Sequence, residues 1–306
     1  MRVMQRKSSC FRVTEQDAKP FARGFIARAS QHATEQVDIQ RFRDSQTLET
    51  ADVLAVEAPL ELRLVAPSIP ERTLTITMRT PGADDELALG YLRAEGVIDD
   101  LEDVAEVAHC SPPAGVDHLH NVIRVTLNRP PRIQIESIDR AAVSHASCGI
   151  CGKTHIDGVL TRCMPVDSEA LRMSLADILR LPEALRAHQR QFAETGGVHA
   201  AALFNEAGDL LCVREDIGRH NALDKVIGQQ VLSRTLGAPG RGLLLSGRAS
   251  FELIQKAAAL RAEMVVSVGP PSSLAVEMAE RSGMTLIGFV SPSGGNGYTH
   301  LARIQG

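Results

Sequence analysis

Gly242-Leu-Leu-Leu-Ser-Gly-Arg-Ala-Ser-Phe-Glu-Leu-Ile-Gln-Lys-Ala-Ala-Ala-Leu-Arg-Ala-Glu-Met-Val-Val-Ser-Val-Gly-Pro-Pro-Ser-Ser273 is the stretch that decides the fold. Gly242–Ser246 reads as a buried strand, Phe251–Ala262 as a helix and Met264–Val268 as a second strand, with Gly, Ser and Pro between them. The pattern repeats with a helix over Ser273–Arg281 and a strand over Met284–Val290. Strands alternating with helices at this spacing imply βαβ crossovers and a partly parallel sheet covered by helices. In such sheets ligands collect outside the carboxyl ends of the strands. Two of those ends, Ser246-Gly-Arg-Ala-Ser250 and Gly269-Pro-Pro-Ser-Ser273, open helices, and a third loop, Ser291-Pro-Ser-Gly-Gly-Asn296, follows the last strand. Helix starts offer N–H groups to phosphate, and Arg248 adds a bidentate donor. Neither loop is a Walker loop or a GxGxxG turn, which disfavours an ATPase or an ordinary Rossmann enzyme. The plain alternative is that the serines cap helices and the glycines turn corners. The coincidence at three strand ends favours a groove that includes Ser246, Gly247, Arg248 and Ser272.

Upstream, Leu175, Ile178 and Leu179 lie at helical spacing, Pro182 interrupts or restarts that helix, and Gly196-Gly197 ends it. Val198–Phe204 and Leu210–Arg214 flank Asn205-Glu-Ala-Gly-Asp209, the best hairpin signal in the chain. Arg214-Glu-Asp-Ile-Gly-Arg-His-Asn-Ala-Leu-Asp-Lys225 then packs charge densely ahead of a helix over Asn221–Leu232. The ordinary reading of that run is capping by Asp216 or Asn221, with Asp224 and Lys225 on a solvated face. The functional reading makes Arg219, His220 and Lys225 contacts to a cofactor or partner.

The first half is different in texture. Residues 1–48 are polar and weakly periodic and read as a poorly ordered extension. Structure is expected from about Val53, with strands over Leu60–Leu64 and Leu74–Met78. A helix follows, with Asp84 as its candidate N-cap and Gly96 as its stop, then strands over Val104–His109 and Asn121–Leu127. The sequence thus divides into an extension (1–48), a small α+β domain (49–140), a connector (141–167) and an α/β domain (168–306).

Composition narrows the function. The chain has 306 residues, 44% of them hydrophobic, and a net charge of −4. That charge gives no global attraction to nucleic acid or anionic membrane, so an anion site has to be local. No Trp and only two Tyr argue against a base-stacking surface for nucleic acid. No apolar run reaches the ~18 residues of a membrane span. Six cysteines in so long a chain are not a disulfide framework, so a reduced, cytoplasmic setting is expected.

Two of the six stand apart in Ser147-Cys-Gly-Ile-Cys-Gly-Lys153, inside the connector. Cys148 and Cys151 can turn both sulfurs to one point, and Gly149 and Gly152 free the backbone for a sharp turn. Lys153, His145 and His155 are near in sequence and, if near in space, favour thiolate. Spacing alone leaves a half zinc site, a redox dithiol or a persulfide carrier open. A zinc deaminase is excluded. That chemistry needs H-x-E followed by P-C-x-x-C, whereas His199-Ala200-Ala201 lacks the glutamate and no CxxC lies downstream.

Taken together, these motifs resemble the formate dehydrogenase accessory sulfurtransferase family (FdhD). The resemblance runs from about Val53 to the C-terminus. It is carried by Met78-Arg-Thr-Pro-Gly82, Leu87-Ala-Leu-Gly90, Glu95-Gly96, the Cys148/Cys151 segment, Thr195-Gly-Gly-Val-His-Ala-Ala201, Glu215-Asp-Ile-Gly-Arg-His-Asn-Ala-Leu-Asp-Lys225, Ser246-Gly-Arg-Ala-Ser-Phe-Glu252, Pro271-Ser-Ser-Leu-Ala275 and Tyr298-Thr-His300. It implies a mixed α/β chain whose second domain is cytidine-deaminase-like without deaminase activity. It also implies sulfur transfer from a cysteine desulfurase, as a cysteine persulfide on Cys148 or Cys151, to the bis-molybdopterin guanine dinucleotide cofactor destined for formate dehydrogenase. The family's cofactor-contacting segment falls on Phe289, Val290, Ser291, Pro292, Ser293 and Gly294. Where relatives usually carry arginine, this chain has Ser291 and Gly294, leaving backbone N–H groups to serve there. A homodimer sharing one pseudo-symmetric cofactor is a further expectation. The competing reading is a non-catalytic, zinc-stabilised module that binds a nucleotide or cofactor.

Overall fold

The computed structural model describes residues 32–67, 69–110, 121–133, 166 and 170–305. Cys148, Cys151, His145, His155 and Lys153 lie outside the described residues, as does nearly all of the 141–167 connector.

The described residues begin with a two-stranded ribbon, β1 (Thr34–Arg43) and β2 (Gln46–Ala55), where the sequence suggests a poorly ordered extension as far as residue 48. The turn is Asp44-Ser45, both residues at positive φ (49° and 63°), a geometry hairpins usually mark with glycine. Without that glycine, and with most of the ribbon exposed, the hairpin leaves little hydrophobic signal to read.

A four-stranded sheet follows, built from β3 (Ala58–Ala66), β4 (Ile69–Arg79), β5 (Val104–His109) and β6 (Val122–Leu127) in the order β4-β3-β6-β5. Strict alternation in β3 puts Leu60, Leu62 and Leu64 on one face, which helix α1 (Asp84–Ala94) covers with Leu87, Leu89 and Leu92. Asp84 does not cap α1, contrary to the sequence expectation. The cap is Ala83 in the left-handed region, and the buried Asp84 carboxylate instead receives both Nε and Nη2 of Arg79 at 2.8 Å.

After β7 (Met173–Ser174), helix α2 (Leu175–His188) runs straight through Pro182 and breaks only at Gln189, ahead of the short α3 (Arg190–Thr195). Ile178, Leu181 and Leu185 of α2 are buried, so packing outweighs the hydrogen bond that proline cannot donate. Then come β8 (His199–Phe204), β9 (Leu210–Asp216), α4 (Arg219–Leu232), β10 (Gly242–Leu245), α5 (Phe251–Leu260), β11 (Met264–Ser267), α6 (Ser273–Arg281), β12 (Thr285–Ser291), β13 (Gly294–Thr299) and β14 (Ile304–Gln305). Strands β8 to β13 form the expected sheet, in the order β13-β12-β11-β10-β8-β9, with β10, β11 and β12 parallel, while β14 pairs with β7. One face carries Leu203, Leu243, Leu245, Val265 and Leu286 under α4, α5 and α6. The other carries Ala202, Phe204, Leu244, Val266 and Ile287 under α2. The architecture is mixed α/β. Ser291–Gly294 is a tight hairpin turn into β13, where the sequence suggests only a loop.

The two sheets meet where α1 crosses α4. A Cβ at Gly90 would lie 1.8 Å from the Asp224 carbonyl oxygen, and one at Gly228 would lie 1.8 Å from that of Glu86, so backbone rests on backbone at two points. Buried ion pairs flank the crossing. Asp224 and Lys225 are each only 2% exposed, which overturns their placement on a solvated face. Lys256 Nζ sits 2.7 and 2.9 Å from the two carboxylate oxygens of Asp224, and Lys225 Nζ sits 2.7 Å from Asp216 Oδ2. Arg214 reaches Glu86 across the same seam at 2.6 Å. The physical reason is the glycine pair, which brings the helices close enough to bury the middle of α4 on all sides.

Two outcomes follow for stability. Gly90→Ala and Gly228→Ala each force the helices apart and should cost on the order of 3 kcal/mol, the upper end for overpacking, in urea unfolding. Lys256→Met should cost about 3–5 kcal/mol by stranding Asp224, while pairing it with Asp224→Leu should restore much of the loss.

Candidate functional site

The antiparallel pairing of β8 with both β9 and β10 brings the start of β8 and the ends of β9, β10, β11 and β12 to one rim of the sheet. The three loops leaving β10, β11 and β12 are laced by backbone hydrogen bonds. Gly269 N–H donates to Gly247 O at 2.9 Å and Phe289 N–H to Gly269 O at 3.2 Å, while Ala249 and Ser272 exchange bonds with the neighbouring loop. The ladder therefore continues past the named strands, and the rim is stiff.

The residues expected from sequence are unequal here. Ser246 and Pro292 both line a cavity of about 510 Å³ at this rim. Ser246 Oγ also accepts from Ala200 N–H at 2.8 Å, which ties β10 to β8. Gly247 packs on His199, since a Cβ there would lie 3.4 Å from its Nδ1. Arg248 is exposed beside them. Ser272 has a structural use, its Oγ accepting from Ala275 N–H at 3.2 Å as the N-cap of α6. Val290 is 1% exposed and belongs to the core. Phe289 projects outward at φ 55°, and Ser291, Ser293 and Gly294 form the turn, with the Ser291 and Ser293 hydroxyls 2.9 Å apart.

The structure adds residues that sequence reasoning left undecided. Arg219 and His220 begin α4, and Ser250 precedes α5 without capping it. Among the described residues, Arg219 Nε and Ser250 Oγ are buried without a hydrogen-bond partner. His220 Nε2 lies 3.3 Å from Glu252 Oε2 but out of hydrogen-bonding alignment. Burial pushes the His220 imidazole down to about 4, with Lys256, Arg219 and His199 adding to the fall and Glu252 opposing it. Burial, then Arg219 and Arg248, also lowers His199, against Asp216. Both rings are therefore neutral near pH 7, held so partly by the positive field that an anion would meet. Lys225, the third residue of the functional reading, is taken up by Asp216 and by the Thr80 carbonyl (2.9 Å) and faces away from this chemistry. The signal for Arg219 and His220 was present in the sequence, as basic residues beside Gly218 at a helix start, but a charge run on its own looks solvated.

Asp216 fixes the position of this cluster. Its Oδ1 accepts from Gly218 N–H (2.8 Å) and Asn221 Nδ2 (3.2 Å), and its Oδ2 from Thr80 N–H (3.2 Å). Of the described thiols, Cys212 is buried and pushed up to about 11, chiefly by burial, so it is no nucleophile. No group of three or more His, Cys, Asp or Glu among the described residues has metal-site geometry, and no described helix is long and apolar enough to cross a membrane.

Comparison with known proteins gives the family of the chain. The chain is 42% identical over 275 residues to Sulfur carrier protein FdhD of Streptomyces coelicolor, covering 89% of this chain and 95% of that protein. It is 38% identical over 267 residues to Sulfur carrier protein FdhD of Saccharolobus solfataricus, covering 87% and 96%. A crystal structure from Desulfotalea psychrophila, described as that of a formate dehydrogenase accessory protein, superposes with a TM-score of 0.68 at 23% identity, over 89% of this chain and all of that one. The sequence profile of the FdhD/NarQ family matches residues 55–305. This chain belongs to the FdhD/NarQ family.

Proposed function

We propose that the protein is a sulfur carrier that takes sulfur from a cysteine desulfurase and delivers it to the bis-molybdopterin guanine dinucleotide cofactor of formate dehydrogenase, in the cytoplasm. The observation that carries the acceptor half is the cluster of Arg219, Arg248, His199, His220 and Ser250 on one rim, at the starts of α4 and α5. Two neutral imidazoles and unpartnered donors in a positive field suit a ligand with pyrophosphates. The rest of the reading comes from the relatives' names and from the Cys148/Cys151 pair. In this reading the second sheet is a deaminase-like frame that has lost deaminase chemistry, since Ala200 and Ala201 follow His199. Two copies would share one cofactor.

The chemistry balances as follows. A Cys148 or Cys151 thiolate attacks the terminal sulfur of the desulfurase persulfide. A new S–S bond forms, the old one breaks, and the desulfurase cysteine leaves as a thiolate. At the acceptor the second cysteine of the pair attacks the inner sulfur of the carried persulfide. The terminal sulfur departs with the electron pair as sulfide, bound for the metal of the cofactor, and the pair is left as a disulfide. Two electrons pass from the dithiol to the sulfur atom, and a cellular thiol reductant resets the pair.

Incubation with desulfurase and cysteine should add one reducible sulfur atom to the protein by intact mass. A variant with Cys148→Ser and Cys151→Ser together should gain none. A sulfur gain that survives in that variant would take the carried sulfur off this pair, and no gain in the wild type together with a tightly held zinc lost in Cys151→Ser would favour the zinc-stabilised module instead. The imidazole of His220 gives a pH test. Its folded pKa, about 4, lies below the ordinary 6.5, so between those values the unfolded chain binds a proton that the folded one refuses. The stability this contributes is complete above pH 6.5 and is lost as the pH falls toward 4. The difference in Tm between wild type and His220→Gln should narrow or reverse across that window.

A further inference from the structure

The ribbon of β1 and β2 has one face against the body of the protein and one left largely uncovered among the described residues. Thr34 and Ala55 pair at its base, and a Cβ on Gly197, in the turn after α3, would lie 3.5 Å from that of Ala55. The face that carries Ala55 is thus the one turned to the body. Directly paired residues of an antiparallel ribbon stand on the same side. The register therefore puts Glu35 with Leu54, Val37 with Asp52, Ile39 with Thr50 and Arg41 with Leu48 on the opposite face. Arg41 Nη2 and Asp52 Oδ1 lie 3.8 Å apart, as residues on one side do. Leu48 is 52% and Leu54 47% exposed there, beside the half-buried Val37 and Ile39. Two strands alone are at best marginally stable in water and need something packed on their apolar side.

The segment that leads into β1 has the composition to supply that cover. Residues 1–31, which lie outside the described residues, hold seven Lys or Arg against two Asp or Glu, with Phe21, Phe25 and Ile26 close together. Residues 34–55 hold five Asp or Glu against two Arg. A second copy of the ribbon would therefore bring like charge to this face, while the segment brings the opposite. It also enters at the right end. Val56 N–H donates to the Ala33 carbonyl at 2.9 Å, which fixes the chain at the base of the ribbon, and Arg28 is six residues ahead of Thr34. Six residues span at most about 21 Å, so Arg28 stays within reach of Glu35, Asp52 and Leu54. Tethered so closely, it faces them at an effective concentration on the order of millimolar. We propose that Phe21-Ala-Arg-Gly-Phe-Ile-Ala-Arg28 covers this face of the ribbon, with Phe25 and Ile26 on Val37 and Leu54 and with Arg23 and Arg28 meeting Glu35 and Asp52. The N-terminal segment is then a strap that hides the apolar side of the ribbon from other chains.

The test is hydrogen exchange of the full chain, read by mass spectrometry on peptides from residues 34–55. Phe25→Ser with Ile26→Ser should speed exchange there about 10-fold, and Arg23→Glu with Arg28→Glu should do the same, while peptides of β10 to β12 stay as in wild type. Glu35→Arg with Asp52→Arg should also speed it. Combining the two charge reversals should return slow exchange, a rescue that a general loss of folding does not give. Unchanged ribbon exchange in the first two variants overturns the assignment, as does a combined variant that exchanges no more slowly than either of its parents. Exchange that quickens throughout the chain in the first two variants makes their defect general and overturns it as well. Wild-type protection of the ribbon that is lost on dilution, together with a halving of the mass by light scattering, gives this face to a second copy and likewise overturns the strap.

Discussion

Backbone-to-backbone contact between α1 and α4 is the constraint on which the rest of the molecule depends. Two glycines allow it, Gly90 against the Asp224 carbonyl and Gly228 against that of Glu86. With no side chain between them, the helices approach closely enough to seal the charges between the sheets. Asp224 is pushed up to about 7, chiefly by burial and against the pull of Lys256. Burial opposes the charge on Lys256 too, but Asp224, Glu252 and Glu95 outweigh it and hold the ammonium above its usual range. Tyr91 of α1 adds its ring 5.7 Å from Lys256 Nζ. These charges persist without water because the crossing gives each a partner, and burying them would otherwise be prohibitive.

That seam also supports the rim. Asp216 ends β9, precedes the helix start that carries Arg219 and His220, and receives the Thr80 amide from the small sheet. Ile217 N–H donates to Thr80 Oγ1 at 3.0 Å, and Asn221 Nδ2 to the Met78 carbonyl at 2.7 Å. The segment that presents the cationic side chains is thus clamped from the other sheet by three groups, the Thr80 N–H and hydroxyl and the Met78 carbonyl. Held this way, Arg219 can keep a buried nitrogen unpaired, because the surrounding bonds fix its backbone whether or not a ligand is present.

Much of this was legible from residues alone. The alternation over Gly242–Val290 foretold the parallel strands, and the turn residues at 205–209 foretold the β8–β9 hairpin, because both signals are local. What the sequence hid was decided at a distance. Asp224 and Lys225 look solvated in any window of the chain; only the close approach of α1, more than a hundred residues away, buries them, through Gly90 there and Gly228 on α4 itself. Pro182 looks like a break, yet the apolar stripe of α2 carries the helix past it. The ribbon of β1 and β2 turns on Asp44 and Ser45 rather than glycine. Arg219 and His220 belong to the rim because antiparallel pairing returns β9 there, which depends on topology rather than composition.

The lacing of the three strand-end loops has a consequence for how such a surface can change over generations. Gly247, Gly269 and Phe289 are joined through amides and carbonyls, so the scaffold of the rim is indifferent to most of the side chains it displays. Lineages can therefore retune what the rim holds by swapping single residues, without having to reinvent the shape that holds it.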